Sequence, residues 1–96
     1  MAVYLMLTTL TDEGRKAIEE DPERVKDMNK EIEYMGAKIV AQYALLGQYD
    51  FVNIIEASGD ADAAKFAIHI SGRGTMQTMT FPAIPVDELI TILKKK

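Results

Sequence analysis

Cysteine and tryptophan are missing from this chain, histidine occurs once, proline three times, and aromatic residues make up only 7%. Without cysteine there is no disulfide framework, no thiolate zinc site and no cysteine nucleophile, so the fold must stand on packing. Positive charge is also in deficit. Eleven Lys and Arg face fifteen Asp and Glu, for a formal net charge of -4, which argues against affinity for nucleic acid or an anionic membrane, since both need clustered cations. The basic residues gather only at Lys94, Lys95 and Lys96, after an apolar helical segment whose carbonyl end cations complement. No run approaches the ~18 apolar residues of a membrane span, and Met1-Ala2-Val3-Tyr4 carries no basic stretch ahead of a hydrophobic one. The expectation is a cytoplasmic protein. Its 96 residues leave no room for a second folding unit, so 1–96 is read as one domain. A chain this short buries only about 60–65% of the surface its unfolded form exposes, and a partner subunit would help it.

What is present reads as alternating strands and helices. Val3 to Leu10 is a strand apolar on both faces. Thr11 is placed to cap a helix, with Asp12 and Glu13 where the dipole favours negative charge. Proline predicts a break at Asp21-Pro22, with Asp21 capping the second piece. There Val25, Met28, Ile32 and Met35 form one stripe, and Gly36 supplies a left-handed stop. Two strands, Ala37 to Leu46 and Phe51 to Ala57, flank Gly47-Gln48-Tyr49-Asp50 and form a hairpin. Ser58-Gly59-Asp60 turns into a helix to about Ser71, with Ala63, Phe66, Ala67 and Ile70 on one face. A last strand from Thr75 to Phe81 is set at a sheet edge by Pro82 and Pro85. Val86 to Lys96 is a short helix whose Leu89, Ile90 and Leu93 are expected to pack back on the body.

This order is the βαββαβ arrangement of ferredoxin-like α+β folds, a four-stranded antiparallel sheet. Right-handed crossovers make the first and third strands central and put both helices on one face. On those strands Phe51, Asn53 and Ile55 oppose Val52, Ile54 and Glu56, and Tyr4 and Met6 oppose Val3, Leu5 and Leu7. A face open to water should alternate polar residues. Neither does, and the bare face exceeds what monomers tolerate. The simplest cover is the same face of a second subunit. The alternative is a monomer whose C-terminal helix folds across it.

The hairpin Tyr43-Ala44-Leu45-Leu46-Gly47-Gln48-Tyr49-Asp50-Phe51-Val52-Asn53 resembles the GYD-domain family, named for the glycine, tyrosine and aspartate of this turn. Thr11-Asp12-Glu13-Gly14, Pro22-Glu23-Arg24, Gly36 and Thr78-Met79-Thr80-Phe81-Pro82-Ala83 resemble it too, so the likeness spans nearly the whole chain. It implies a ferredoxin-like fold related to dimeric α/β barrels and leaves activity open.

Candidate ligand-binding residues are Tyr43, Gly47, Tyr49, Asp50 and Asn53. The Tyr49 hydroxyl can donate and the Asp50 carboxylate accept at the mouth of a cavity between subunits. The competing reading is structural, with Gly47 at positive φ, Asp50 bonding turn amides and Tyr49 packing at an interface. His69, the single histidine, falls in line with Asp62 and Lys65 on the wet side of its helix and lacks carboxylate companions for a metal. Glu56 is a candidate buried carboxylate, but a strand-end position beside a Lys or Arg suits it better. Gln42, Asn53, Thr78 and Thr80 can set polar groups among apolar cavity walls or bond across an interface. Gly72-Arg73-Gly74 precedes a strand, whereas phosphate loops precede a helix, so it is a connector. No catalytic constellation, metal site or cofactor motif assembles. The leading expectation is a homo-oligomeric module that binds a small, partly apolar molecule or acts as an accessory factor. The alternatives are a cofactor-independent enzyme resembling the monooxygenases or isomerases of the dimeric α/β-barrel type, using Tyr43, Tyr49, Asn53 or Glu56, and a structural interaction protein.

Overall fold

The computed structural model describes residues 1–95, so Lys96 of the basic tail lies outside the described residues. Along the chain come β1 (Ala2–Leu10), α1 (Asp12–Glu20), α2 (Arg24–Tyr34), β2 (Lys38–Ala44), β3 (Phe51–Ala57), α3 (Asp60–Ser71), β4 (Met76–Ala83) and α4 (Val86–Lys94). The strands pair antiparallel in the order β2-β3-β1-β4. This is the ferredoxin-like arrangement expected from the element order, with β1 and β3 central and the proline-bearing β4 at an edge.

Local chemistry sets the helix boundaries. The Thr11 hydroxyl accepts from the Gly14 amide at 3.1 Å and donates to the Gly74 carbonyl at 2.8 Å, while the Thr11 amide donates to the Thr75 carbonyl at 3.0 Å. The start of α1 is thereby pinned to the start of β4. Glycine is required at 14 by this approach, since a Cβ there would lie 1.9 Å from the Thr75 carbonyl oxygen. The break at Asp21-Pro22 is present, but Asp21 does not cap α2. Held extended by the proline that follows it, it closes α1, its amide donating to the Ala17 carbonyl at 3.0 Å. A short turn intervenes before Glu23 takes the N-cap position of α2.

The core lies between the sheet and α1, α2 and α3. Tyr4, Met6 and Leu10 of β1, Ile55 and Ala57 of β3 and Met76 of β4 meet Ile32 of α2 and Ala63, Phe66 and Ile70 of α3. Each large side chain removed from water this way stabilises the fold by about 1.5–3 kcal/mol.

The C-terminal helix departs from expectation. Leu89, Ile90 and Leu93 do not pack back, being 42%, 43% and 73% exposed, and no residue of α4 is buried. Ile84 and Pro85 are the reason: the residue before proline is driven to extended geometry, and Pro85 itself has φ -54 and ψ 137. The helix therefore starts only after an extended step, at Val86. The molecule measures 54 × 28 × 18 Å with a radius of gyration of 14.7 Å, against about 12.5 Å for a compact chain of this length. Among the described residues, no helix is long and apolar enough to cross a membrane.

Candidate functional site

Cross-strand register builds the face opposite the helices row by row. Tyr43, Val52, Leu7 and Met79 stand side by side across the four strands, and Ala41, Ile54, Leu5 and Phe81 form the next row. A third row holds Lys38, Glu56, Val3 and Ala83. Two of the three rows carry no charged residue, and α1, α2 and α3 all lie on the other side. Tyr43, Met79 and Phe81 are 64%, 47% and 43% exposed. Antiparallel sheets that face water place polar side chains there, so this face is chemically an interface. Glu56 is half-buried at its margin, directly opposite Lys38, where opposite charges favour each other.

The hairpin turn closes one end of this face. Gly47 has φ +107, a conformation that side chains disfavour. Asp50 is a tie: its carboxylate accepts from the Leu10 amide at 2.7 Å and lies 3.8 Å from the Arg15 guanidinium. Its amide donates to the Thr8 carbonyl at 2.8 Å, and its carbonyl accepts from the Leu45 amide at 2.8 Å. The turn is thus held to the end of β1 and the start of α1. Tyr49 leans over the open face, its hydroxyl 3.9 Å from the Met79 sulfur.

Asn53 lies on the opposite, helix-covered face, 6% exposed. It accepts from the Gln42 amide nitrogen at 2.7 Å, and Gln42 and Asn29 exchange two further hydrogen bonds of 2.8 and 3.0 Å. This network joins α2 to β2 and β3. Thr78 and Thr80 point to the same side, and the Thr80 hydroxyl is buried without a partner among the described residues. The five sequence-derived site residues therefore divide three ways: Tyr43 and Tyr49 on the open face, Gly47 and Asp50 in the turn, Asn53 inside. His69 is exposed on α3. No group of three His, Cys, Asp or Glu among the described residues is placed to hold a metal ion.

Two features escaped sequence reasoning. The Tyr4 hydroxyl donates to the Asp60 carboxylate at 2.5 Å. That bond, reinforced by burial and by the charges of Asp60 and Asp62, pushes the phenol up to about 12. Strand alternation places Tyr4 inside, but nothing local pairs it with a residue 56 positions away. The second is a cavity of about 280 Å³ between α1, α2 and the start of β4. Leu10, Ile18, Met28 and Met76 form its apolar wall, with Arg24, Asp27, Glu31 and Arg73 around it. Arg73 is ion-paired with Glu31, 42 positions away in the chain.

With this geometry in place the comparisons are decisive for family. The GYD domain model matches residues 4–93. The chain belongs to the GYD domain family. This GYD domain is 47% identical, over 98% of its length and 100% of the relative's, to a protein of Thermus thermophilus named glutamine synthetase and cystathionine beta-lyase binding protein. Among solved structures it is similar to the crystal structure of FFRP-DM1, with a TM-score of 0.55 and 21% identity over 88% of this chain and 100% of that one. At that identity the likeness speaks for the fold alone. The turn that carries the family resemblance is the one Asp50 ties to β1 and α1.

Proposed function

We propose that this GYD domain is an accessory protein that acts by binding: two copies associate through their open sheet faces, as in a dimeric α/β barrel, and the assembly docks on metabolic enzymes. The observation that carries the self-association is the pair of charge-free rows across the sheet, a patch that soluble monomers rarely leave exposed. An isologous pairing of identical faces covers it twice with one contact set. The docking half of the reading is supported by the name of the Thermus relative and by its full-length match. The decisive experiment mixes the purified chain with glutamine synthetase and cystathionine beta-lyase from its own organism at micromolar concentrations. Co-sedimentation with either enzyme is the expected result, and free sedimentation beside both contradicts the docking half.

A second reading, a small partly apolar ligand held between sheet and partner, is favoured by Tyr43 and Tyr49, which set two phenols among apolar rows as ligand sites do. Gly47 and Asp50 serve it by fixing the turn that presents Tyr49, while Asn53 contributes from behind through β3. Native mass spectrometry of the freshly purified protein tests it. A retained compound that is lost in Tyr49→Phe, at unchanged thermal stability, supports this reading, and a bare protein mass opposes it.

A further inference from the structure

The C-terminal arm offers a second unpartnered surface, and its chemistry is complementary to the first. In α4, Val86, Leu89, Ile90 and Leu93 fall at the i, i+3, i+4, i+7 spacing of one helical stripe, and all four are exposed. Polar residues occupy the ends: Asp87 and Glu88 in the first turn, Lys94 in the last, where each complements the helix dipole. A helix of nine residues, about 14 Å long, is too short to be stable in water on propensity, so tertiary packing must hold it. Its own chain supplies too little to bury any residue of α4.

The exposed area says how much packing is missing. The chain exposes 6733 Å², whereas a compact monomer of this mass exposes about 5500 Å². The excess, about 1200 Å² per chain, is of the order of the surface that one subunit of a stable homodimer buries. The extended Ile84-Pro85 step precedes α4, as described above. The α4 stripe therefore leaves its own sheet uncovered and is itself uncovered.

We infer that α4 is an exchanged arm: in the dimer the open sheet faces meet each other, and the Val86-Leu89-Ile90-Leu93 stripe of each copy packs on the other copy at the margin of that contact. The inference rests on the self-association proposed above and adds what closes it. A symmetric pair makes the contact twice, so removing the stripe weakens both ends of the assembly at once.

The absence of cysteine makes the test clean. Leu89→Cys is labelled with a benzophenone maleimide, and equal amounts of ¹⁴N and ¹⁵N chains are mixed, equilibrated and irradiated. Cross-linked peptides of mixed isotope, joining the arm to segments carrying β1, β3 or β4, are the expected product. In parallel, the double variant Leu89→Glu with Leu93→Glu, both at exposed positions and so compatible with folding, is expected to raise the dimer dissociation constant at least tenfold with an unchanged circular dichroism spectrum. A dimer whose cross-links stay within one chain, or whose affinity survives the double variant, overturns the exchanged arm and leaves sheet-to-sheet association standing. A chain that is monomeric at every concentration overturns both. In a second irradiation with glutamine synthetase and cystathionine beta-lyase added, cross-links that form only to an enzyme also overturn the inference and assign the arm to the client.

Discussion

On one side of β1, Tyr4, Met6, Thr8 and Leu10 are each less than a tenth exposed, closed over by helices. On the other side of the same nine residues, Val3, Leu5, Leu7 and Thr9 point away from α1, α2 and α3 and are only partly covered. Both faces are apolar along the central strands, yet only one is finished. The finished face contains the polar residues that would ordinarily mark a wet surface, Thr8 and Asn53, both buried, and the Asn29–Gln42–Asn53 network answers the polarity of Asn53 from within. The unfinished face is the greasier of the two in its central rows. Polarity alone therefore does not report which side of this sheet sees water, and the open side reads as half of a core awaiting its other half.

Substitutions on the two faces should separate these roles. Phe66→Ala, in the finished core at 2% exposure, should lower stability by about 3–5 kcal/mol, and denaturant midpoints should fall whatever the protein concentration. Leu5→Glu, on the open face beside Ile54 and Phe81, should leave the isolated chain folded. It should weaken self-association by about 3 kcal/mol, because a carboxylate is trapped in the interface without a partner, and sedimentation equilibrium reads it. A core-like loss from Leu5→Glu in a dilute monomer would break the comparison. Gly14→Ala, where α1 meets the Thr75 carbonyl, should cost about 2 kcal/mol, since the obstacle is backbone that yields only by moving an element. Thermal melts measure it. Asn53→Ala should cost about 1–3 kcal/mol by depriving the Gln42 amide of an acceptor, without altering association. The smallest effect belongs to Tyr4. Its folded pKa, raised to about 12, lies above the ordinary phenol value near 10. Its contribution is therefore full below about pH 10 and declines as pH rises toward the folded value, because the unfolded chain releases the proton first. Tyr4→Phe should flatten that part of the stability–pH curve.

How far these features were legible follows from how local their causes are. Strand alternation placed Tyr4 and Met6 opposite Leu5 and Leu7, and Thr11 as a cap needed only the residues beside it. The central positions of β1 and β3 followed from crossover handedness. The α4 stripe was legible as an amphipathic helix, but its destination was not: the same residues suit packing back or reaching out, and the extended geometry at Ile84-Pro85 decides. Asp50 was recognisable as a turn residue, whereas its bond to the Leu10 amide depends on the register between β1 and β3. The site residues parted because β-strand neighbours alternate faces. Tyr43 and Asn53 sit across the β2–β3 pair but one step out of phase, so one points out and the other in. Tyr4–Asp60 and Arg73–Glu31 join distant positions, and a single sequence carries no signal for either.

The measurement that bears most directly on all of this is the solution mass of the native chain across a dilution series, followed by light scattering or sedimentation velocity together with a hydrophobic dye. A mass of twice 10.7 kDa that persists to low concentration, with dye uptake rising only where the pair dissociates, is the expected result. A steady 10.7 kDa species that binds no dye would mean that the open rows are compatible with water, and the pairing of faces would fall with it.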